Sequence, residues 1–336
     1  MPRKSTEKKT VTVDLTIDEL KTVGSTTKNR LIKAGLIKLK DILMYHPSRL
    51  AELTGMSEDT AIKVIEEAIE ILEKTEKSEF GLEKASKLVE ERKKKRFLHT
   101  GASSLDEILM GGYASGEVTE LAGEYRTGKS QACYTAMATA FLPPSEGGLN
   151  DGDISVVLID SERTFSPTRM EKIFQRFDID PNEALERILV GRPRNTIHQK
   201  KIIDNLVKTV SENNVKLVVV DSLTKLPRAD FSGRGELYER QRYILAMVET
   251  LRRLAANYNL VVLITNQVVA MPDAMYGRGP SIKPIGGHIL AHSVDTRLFL
   301  TFSKENIRNV EIWDSSWLPP AKTKIMITEA GITDIK

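Results

Sequence analysis

Gly123-Glu124-Tyr125-Arg126-Thr127-Gly128-Lys129-Ser130 decides how the rest of this 336-residue chain is read. It matches G-x-x-x-x-G-K-[ST], a loop whose backbone N–H groups cradle a polyphosphate, whose lysine reaches the outer phosphates and whose hydroxyl holds magnesium. Such a loop works only with a strand running in and a helix running out. Residues 116–122 form a β-prone run into it, and residues 131–141 are rich in Ala, Met and Tyr with no breaker before Pro143 and Pro144. The pattern predicts that Gly123 to Ser130, with Gln131, bind a nucleoside triphosphate and Mg2+. It does not say how the energy is used.

Downstream of residue 100, short apolar β-rich runs alternate with helical patterns, which predicts an α/β domain with a mainly parallel sheet and helices on both faces. The strongest strands are read at 155–159, 216–220, 259–264 and 296–300. Runs that are apolar throughout suit strands buried on both faces. Residues 310–313 and 324–327 read as antiparallel edge strands. Ligands collect at the carboxyl ends of strands in open α/β sheets, so the polar residues there carry the chemistry. Asp221 fits a magnesium-supporting carboxylate, or else a capping residue of the next turn. Glu162 fits a residue that activates water, or else a surface ion-pair partner. Gln267 fits a γ-phosphate sensor that opens the next loop, or else a strand-end amide. Two loops then stand out: one carrying Arg228, Arg234 and Arg240, and one running from Val268 to Gly287 with Met271, Tyr276 and Arg278. Arginines among glycines suit phosphates and apolar loop residues can wedge between bases, so single-stranded nucleic acid is the ligand they share.

Upstream the chain changes character. Residues 1–14 read as a disordered basic arm. Residues 15–74 read as a small all-α domain of short amphipathic helices at 17–20, 26–34, 38–44, 46–53 and 57–72. Its turns Leu20-Lys21-Thr22-Val23-Gly24-Ser25 and Leu53-Thr54-Gly55-Met56-Ser57 fit helix-hairpin-helix units that offer backbone N–H groups to a DNA phosphate, or packing hairpins. Residues 75–99 read as a charged linker ending in Glu90-Glu91-Arg92-Lys93-Lys94-Lys95-Arg96, a solvated helix face or a nucleic-acid contact. Within it, Phe80-Gly81-Leu82-Glu83-Lys84-Ala85 is an apolar island that packs on its own domain or on a neighbouring subunit.

Composition limits the alternatives. Hydrophobic content of 40% and charge of 28% are ordinary for a soluble protein, and a net charge of +3 is too small to identify a partner. The one cysteine, Cys133, excludes an intramolecular disulfide and reads as a small buried apolar residue. No signal peptide or membrane-spanning run is evident, which predicts a soluble intracellular protein.

The ordered set of motifs resembles the RadA-type recombinases of archaea and their eukaryotic counterparts, in the RecA superfamily. The resemblance runs from the helical domain to Gly331-Ile332-Thr333-Asp334. Its markers include Thr100-Gly101 with Leu105-Asp106, Gly123 to Gln131, Leu142-Pro143-Pro144, Asn195-Thr196 with His198-Gln199, Ser232 to Leu237 with Arg240-Gln241, Asn266-Gln267-Val268, and Pro284 to His288. It implies a RecA-like ATPase core at 100–336 and an ATP-dependent recombinase that polymerises on single-stranded DNA and exchanges strands with a duplex. The alternatives are a paralogue that assists without exchanging strands, or a ring helicase on the same fold. The implied cofactors are ATP and Mg2+. The implied partners are single- and double-stranded DNA, further copies of the chain and recombination mediators, with no membrane, in the cytoplasm of an archaeal cell and associated with its nucleoid. The resemblance also implies that Lys129, Glu162 and Gln267 are catalytic, that Ser130 and Asp221 support the metal, and that Arg169 lies against adenine. Leu82 and Ala85 align with a subunit-docking motif. Three positions depart from the family pattern: Leu82 replaces a phenylalanine, Arg163 stands where glycine is usual and so near the γ-phosphate, and Gly279 before Pro280 replaces the acidic residue expected to close over ATP from the next subunit. The last removes the basis for expecting family-like ATP capping and potassium dependence.

Overall fold

The computed structural model describes residues 15–75, 84–270 and 282–335, with the backbone alone at 87, 91, 234, 269, 270, 282–284 and 287–289. The arm read at 1–14 lies outside the described residues. The chain divides between Ala85 and Ser86 into two compact units.

The first unit is all helical, with α1 (Ser25–Lys33), α2 (Leu39–Ile42), α3 (Pro47–Thr54) and α4 (Glu58–Thr75) after a 3₁₀ turn at Ile17–Glu19. Ala61, Val64, Ala68 and Leu72 recur at helical spacing on α4 and are buried together with Leu31, Leu39, Ile42 and Leu50 of the shorter helices. The helix α5 (Ala85–Lys93) begins at the division.

The second unit holds β1 (Phe97–Leu98), α6 (Ser103–Ile108), β2 (Tyr113–Ala114), β3 (Glu117–Gly123), α7 (Lys129–Thr139), β4 (Ser155–Asp160), α8 (Pro167–Arg176), α9 (Pro181–Glu186), β5 (Ile188–Gly191), α10 (Thr196–Asp204), α11 (Leu206–Asn213) and β6 (Val215–Asp221). It continues through α12 (Lys225–Asp230), α13 (Leu237–Tyr258), β7 (Val261–Ala270), β8 (Ile282–Pro284), α14 (Gly287–Ser293), β9 (Thr296–Phe302), β10 (Ile307–Ser315), β11 (Lys322–Thr328) and β12 (Gly331–Thr333). The main sheet runs β12-β11-β10-β9-β3-β7-β6-β4-β5, with β8 on β7. From β9 to β5 every neighbouring pair is parallel, and β10 to β12 form an antiparallel wing. The α/β class with a mainly parallel sheet is therefore as the sequence predicts. The wing differs in one respect: β10 and β11 are internal, because β12 pairs on β11 and forms the outer edge.

Period-two alternation explains why the parallel strands are apolar throughout. Leu121, Val156, Leu158, Val219 and Leu263 share one core with Ala132, Cys133 and Met137 of α7 and Ile173 and Phe174 of α8. Residues of the opposite parity, Val157, Ile159, Val218, Val220, Val262 and Ile264, are equally buried, as are Met247, Leu251 and Leu254 of α13. Each such side chain contributes about 1.5–3 kcal/mol on burial. Cys133 is fully buried and its thiol pKa is pushed well up by that burial, consistent with a packing residue.

Candidate functional site

β3 delivers Gly123 to the sheet's carboxyl end, and α7 begins six residues later at Lys129. Between them Thr127 is buried and its hydroxyl donates to the Glu124 carbonyl at 2.9 Å, while Tyr125 is exposed with Arg126 stacked over its ring. Gly128 sits at φ 96°, a left-handed conformation that calls for glycine, and an added Cβ there would also displace the end of the Ile327 side chain. Gly123 is constrained differently: a Cβ meets the Leu300 carbonyl oxygen of β9 at 2.5 Å. Because that neighbour is backbone, Gly123→Ala is expected to destabilise the chain by about 1–3 kcal/mol, read as a lower urea midpoint. An unchanged midpoint contradicts the close approach.

Lys129 is buried and its Nζ donates to the carbonyls of Gly123 at 2.8 Å and Glu124 at 2.7 Å. Burial pulls its ammonium pKa below the ordinary lysine value, against the opposing pull of Asp221 and Glu162. Asp221 ends β6, and its burial raises the carboxyl pKa, an effect the Ser130 and Thr265 hydroxyls partly offset. Thr265 donates to Asp221 Oδ1 at 2.5 Å, whereas Oδ2 is buried and accepts no hydrogen bond. A buried carboxylate oxygen without a donor, beside a serine hydroxyl, suits a hard cation such as Mg2+. Among the described residues no group of three or more His, Cys, Asp or Glu could hold a metal, so such an ion needs oxygen ligands beyond the protein's.

These residues line one cleft of about 340 Å³ together with Gln131, Glu162, Ser222 and Gln267. Glu162 is held from three sides: Ser222 Oγ donates to Oε1 at 3.0 Å, Gln267 Nε2 to Oε1 at 3.3 Å, and Lys225 Nζ lies 3.0 Å from Oε2. The structure thus brings Lys129, Ser130, Asp221, Glu162 and Gln267 together. Several lining side chains escape sequence reasoning, among them Arg308 and Tyr134. Arg308 lines the cleft, stacks over Phe302 and donates to the Arg126 carbonyl at 3.4 Å. Tyr134 also lines it and pairs its hydroxyl with Thr164 at 3.0 Å. Neither belongs to a motif: Arg308 arrives by tertiary folding, and Tyr134 stands one helical turn after Ser130 on α7.

Arg169 and Arg163 lie outside the lining of this cleft. Arg169, near the start of α8, donates to the Thr328 carbonyl at 2.5 Å and does not line the cleft. Arg163 is exposed, outside the cleft lining, and its backbone adopts φ 57°, the left-handed region that accounts for a preference for glycine at this position.

The two loops are more regular than expected. β7 continues to Ala270, with Val268 opposite Pro284 and Ala270 opposite Ile282, so Gln267 and Val268 belong to a strand rather than a loop. The β-branched Val268-Val269 step favours this pairing. Arg228 lies exposed on α12, while Arg240 lies on α13 and donates to the Phe231 carbonyl at 3.4 Å. The Arg234 side chain lies outside the described residues, as do Met271, Tyr276, Arg278, Gly279 and Pro280. Of the docking residues, Ala85 is exposed at the start of α5 and Leu82 lies outside the described residues.

The helical turns have internal partners. Glu67 of α4 accepts the N–H groups of Lys21 at 2.6 Å and Thr22 at 3.1 Å, so in the first turn these amides are already satisfied by a carboxylate. In the second, Gly55 adopts φ 69° and caps α3, its carbonyl accepts Arg30 at 2.8 Å, and the Ser57 hydroxyl caps α4 at Thr60 N–H.

The strand–loop–helix cradle, with acidic residues ending β4 and β6 beside it, defines a phosphate-loop nucleotide-binding α/β protein. A family model described as Rad51 matches residues 91–335, and one described as a SAM-like helix-hairpin-helix tandem matches residues 14–69. The chain is 38% identical to "DNA repair protein RAD51 homolog B" of Zea mays over 309 residues, 91% of this chain and 88% of that protein. It is 35% identical to "DNA repair protein RAD51 homolog 1" of Arabidopsis thaliana over 324 residues, 95% of this chain and 92% of that protein. The chain belongs to the Rad51 family.

Proposed function

We propose that this protein is an ATP-dependent DNA strand-exchange recombinase of recombination and repair, of the archaeal RadA type, assembling as a helical filament on single-stranded DNA. The observation that carries this reading is the convergence of Lys129, Ser130, Asp221, Glu162 and Gln267 on one cleft, with α12 and the β7–β8 hairpin leaving the same strand ends. Lys129 exchanges its two carbonyl partners for the outer phosphates of ATP. Ser130 and Asp221 would hold Mg2+, which would supply positive charge against that of the phosphates. Glu162 takes a proton from the attacking water, and Gln267 reports the γ-phosphate to the hairpin that β7 enters. Arg228, Arg234, Arg240 and the Val268 to Arg278 segment contact DNA phosphates and bases. Arg169 lies against adenine, and Leu82 with Ala85 docks the next subunit. In this reading 15–74 is a helix-hairpin-helix domain, 75–99 a linker and 100–336 the ATPase core. Recombination mediators and duplex DNA are further partners.

Electron micrographs of the protein on single-stranded DNA, with and without a non-hydrolysable ATP analogue and Mg2+, are expected to show helical filaments only with nucleotide. Strand exchange with homologous duplex is expected under the same ATP conditions. Closed rings with processive unwinding point instead to a helicase, and filaments without any exchange point to an assisting paralogue.

A further inference from the structure

We infer that Lys225 is a positioning residue that holds Glu162 away from water until nucleic acid engages the Arg228 loop. The inference rests on the reading of Glu162 as the group that takes water's proton. Lys225 Nζ lies 3.0 Å from Glu162 Oε2 and 3.4 Å from the Glu162 carbonyl oxygen, while Ser222 and Gln267 occupy Oε1. Both carboxylate oxygens are therefore engaged by protein donors. A general base must present a lone pair to the water it deprotonates; Oε2 keeps a second one, but the Lys225 ammonium stands beside it and competes with water for that oxygen.

Lys225 is also the first residue of α12, a helix of six residues. Its side chain is 39% exposed, so the pair can open into solvent at small cost. On the other side, Arg228 is exposed three residues later on the same helix, and the Phe231 carbonyl just after it is gripped by Arg240. Both arginines are among those assigned to nucleic acid. The residue before the helix, Thr224, is fixed: its hydroxyl donates to the buried Asn266 Oδ1 at 2.8 Å. A short helix pinned at Thr224 and pulled at Arg228 swings about Thr224 and carries the Lys225 side chain away from Glu162. Nucleic acid on the loop withdraws the ammonium, frees Oε2 for water and switches hydrolysis on.

The test is steady-state ATP hydrolysis by the full chain, with and without single-stranded DNA, for wild type, Lys225→Met, Lys225→Arg and Glu162→Gln. Lys225→Met keeps the apolar stem and removes the charge. Its DNA-free kcat is expected to rise roughly 2- to 5-fold, the factor a half-exposed pair supports, with KM unchanged and the DNA-saturated kcat equal to wild type. Lys225→Arg is expected to keep the wild-type ratio of stimulated to unstimulated rates. A merely structural lysine does not raise kcat when removed. An unchanged or lower DNA-free kcat in Lys225→Met, with Glu162→Gln inactive, overturns the latch alone. Hydrolysis that survives Glu162→Gln overturns the role of Glu162 and the latch with it.

Discussion

Arg297→Met is expected to lower the stability of the chain by about 3–5 kcal/mol, because it strands a buried carboxylate. Arg297 Nε donates to Glu120 Oε2 at 2.5 Å across the β3–β9 pair, and Glu120 has no exposed surface. Glu120 Oε1 accepts from Asn266 Nδ2 at 2.6 Å, and the same nitrogen donates to the Ile285 carbonyl at 2.6 Å. Asn266 Oδ1 in turn accepts the Thr224 hydroxyl. The network therefore joins the middle of the sheet to the start of α12 and to the residue following β8. Methionine replaces the stem of Arg297 beside Trp313 but not its charge, leaving Glu120 with one donor. The double variant Glu120→Gln with Arg297→Met removes charge from both sides and is expected to recover most of the loss, since desolvation weighs against a buried pair. Urea unfolding of the two variants measures this. A loss below about 1 kcal/mol in the single variant is too small for an uncompensated buried charge and contradicts the network.

That network shows why some of the molecule was legible in the sequence and some was not. The phosphate loop is readable because its chemistry is contiguous: Gly123, Gly128, Lys129 and Ser130 lie within eight residues, and Gly128 answers to local backbone geometry. The parallel strands are readable because residues such as Val218, Val219 and Val220 are buried on both faces. β5 and β12 are short, and β5 leaves Val190 partly exposed, so periodicity has little to act on there. β8 exists through its pairing with β7, which no local pattern announces. The Glu162–Lys225 pair, the Glu67 cap on Lys21 and Thr22, and the Glu120–Arg297 pair all join residues far apart in sequence. In each case the polar residue types are ordinary and only the fold supplies the partner. Sequence reasoning thus located the strand-end carboxylates of the cleft and Lys129 beside them, but not Lys225, which pairs with Glu162.

Lys129→Met is expected to reduce ATP hydrolysis by about 10²–10³-fold while leaving the free protein about as stable as wild type. Both halves follow from the surroundings of Nζ. In the nucleotide-free arrangement the ammonium is buried against two carbonyl oxygens, and burial depresses its pKa. A lysine whose folded pKa lies below its unfolded value adds stability only at pH above that unfolded value, and loses it as pH falls through the folded one. At neutral pH the buried charge is therefore a cost, and methionine, with a stem of similar length, does not incur it. With ATP present the balance reverses, because the outer phosphates are the charge this ammonium is placed to meet. Thermal unfolding separates the two states. At an ATP and Mg2+ concentration 100 times Kd, wild type is expected to gain about 2.7 kcal/mol, and Lys129→Met at the same concentration to gain much less. Hydrolysis within tenfold of wild type, or an undiminished stabilisation by ATP, places the phosphates somewhere other than the loop at Gly123 to Ser130.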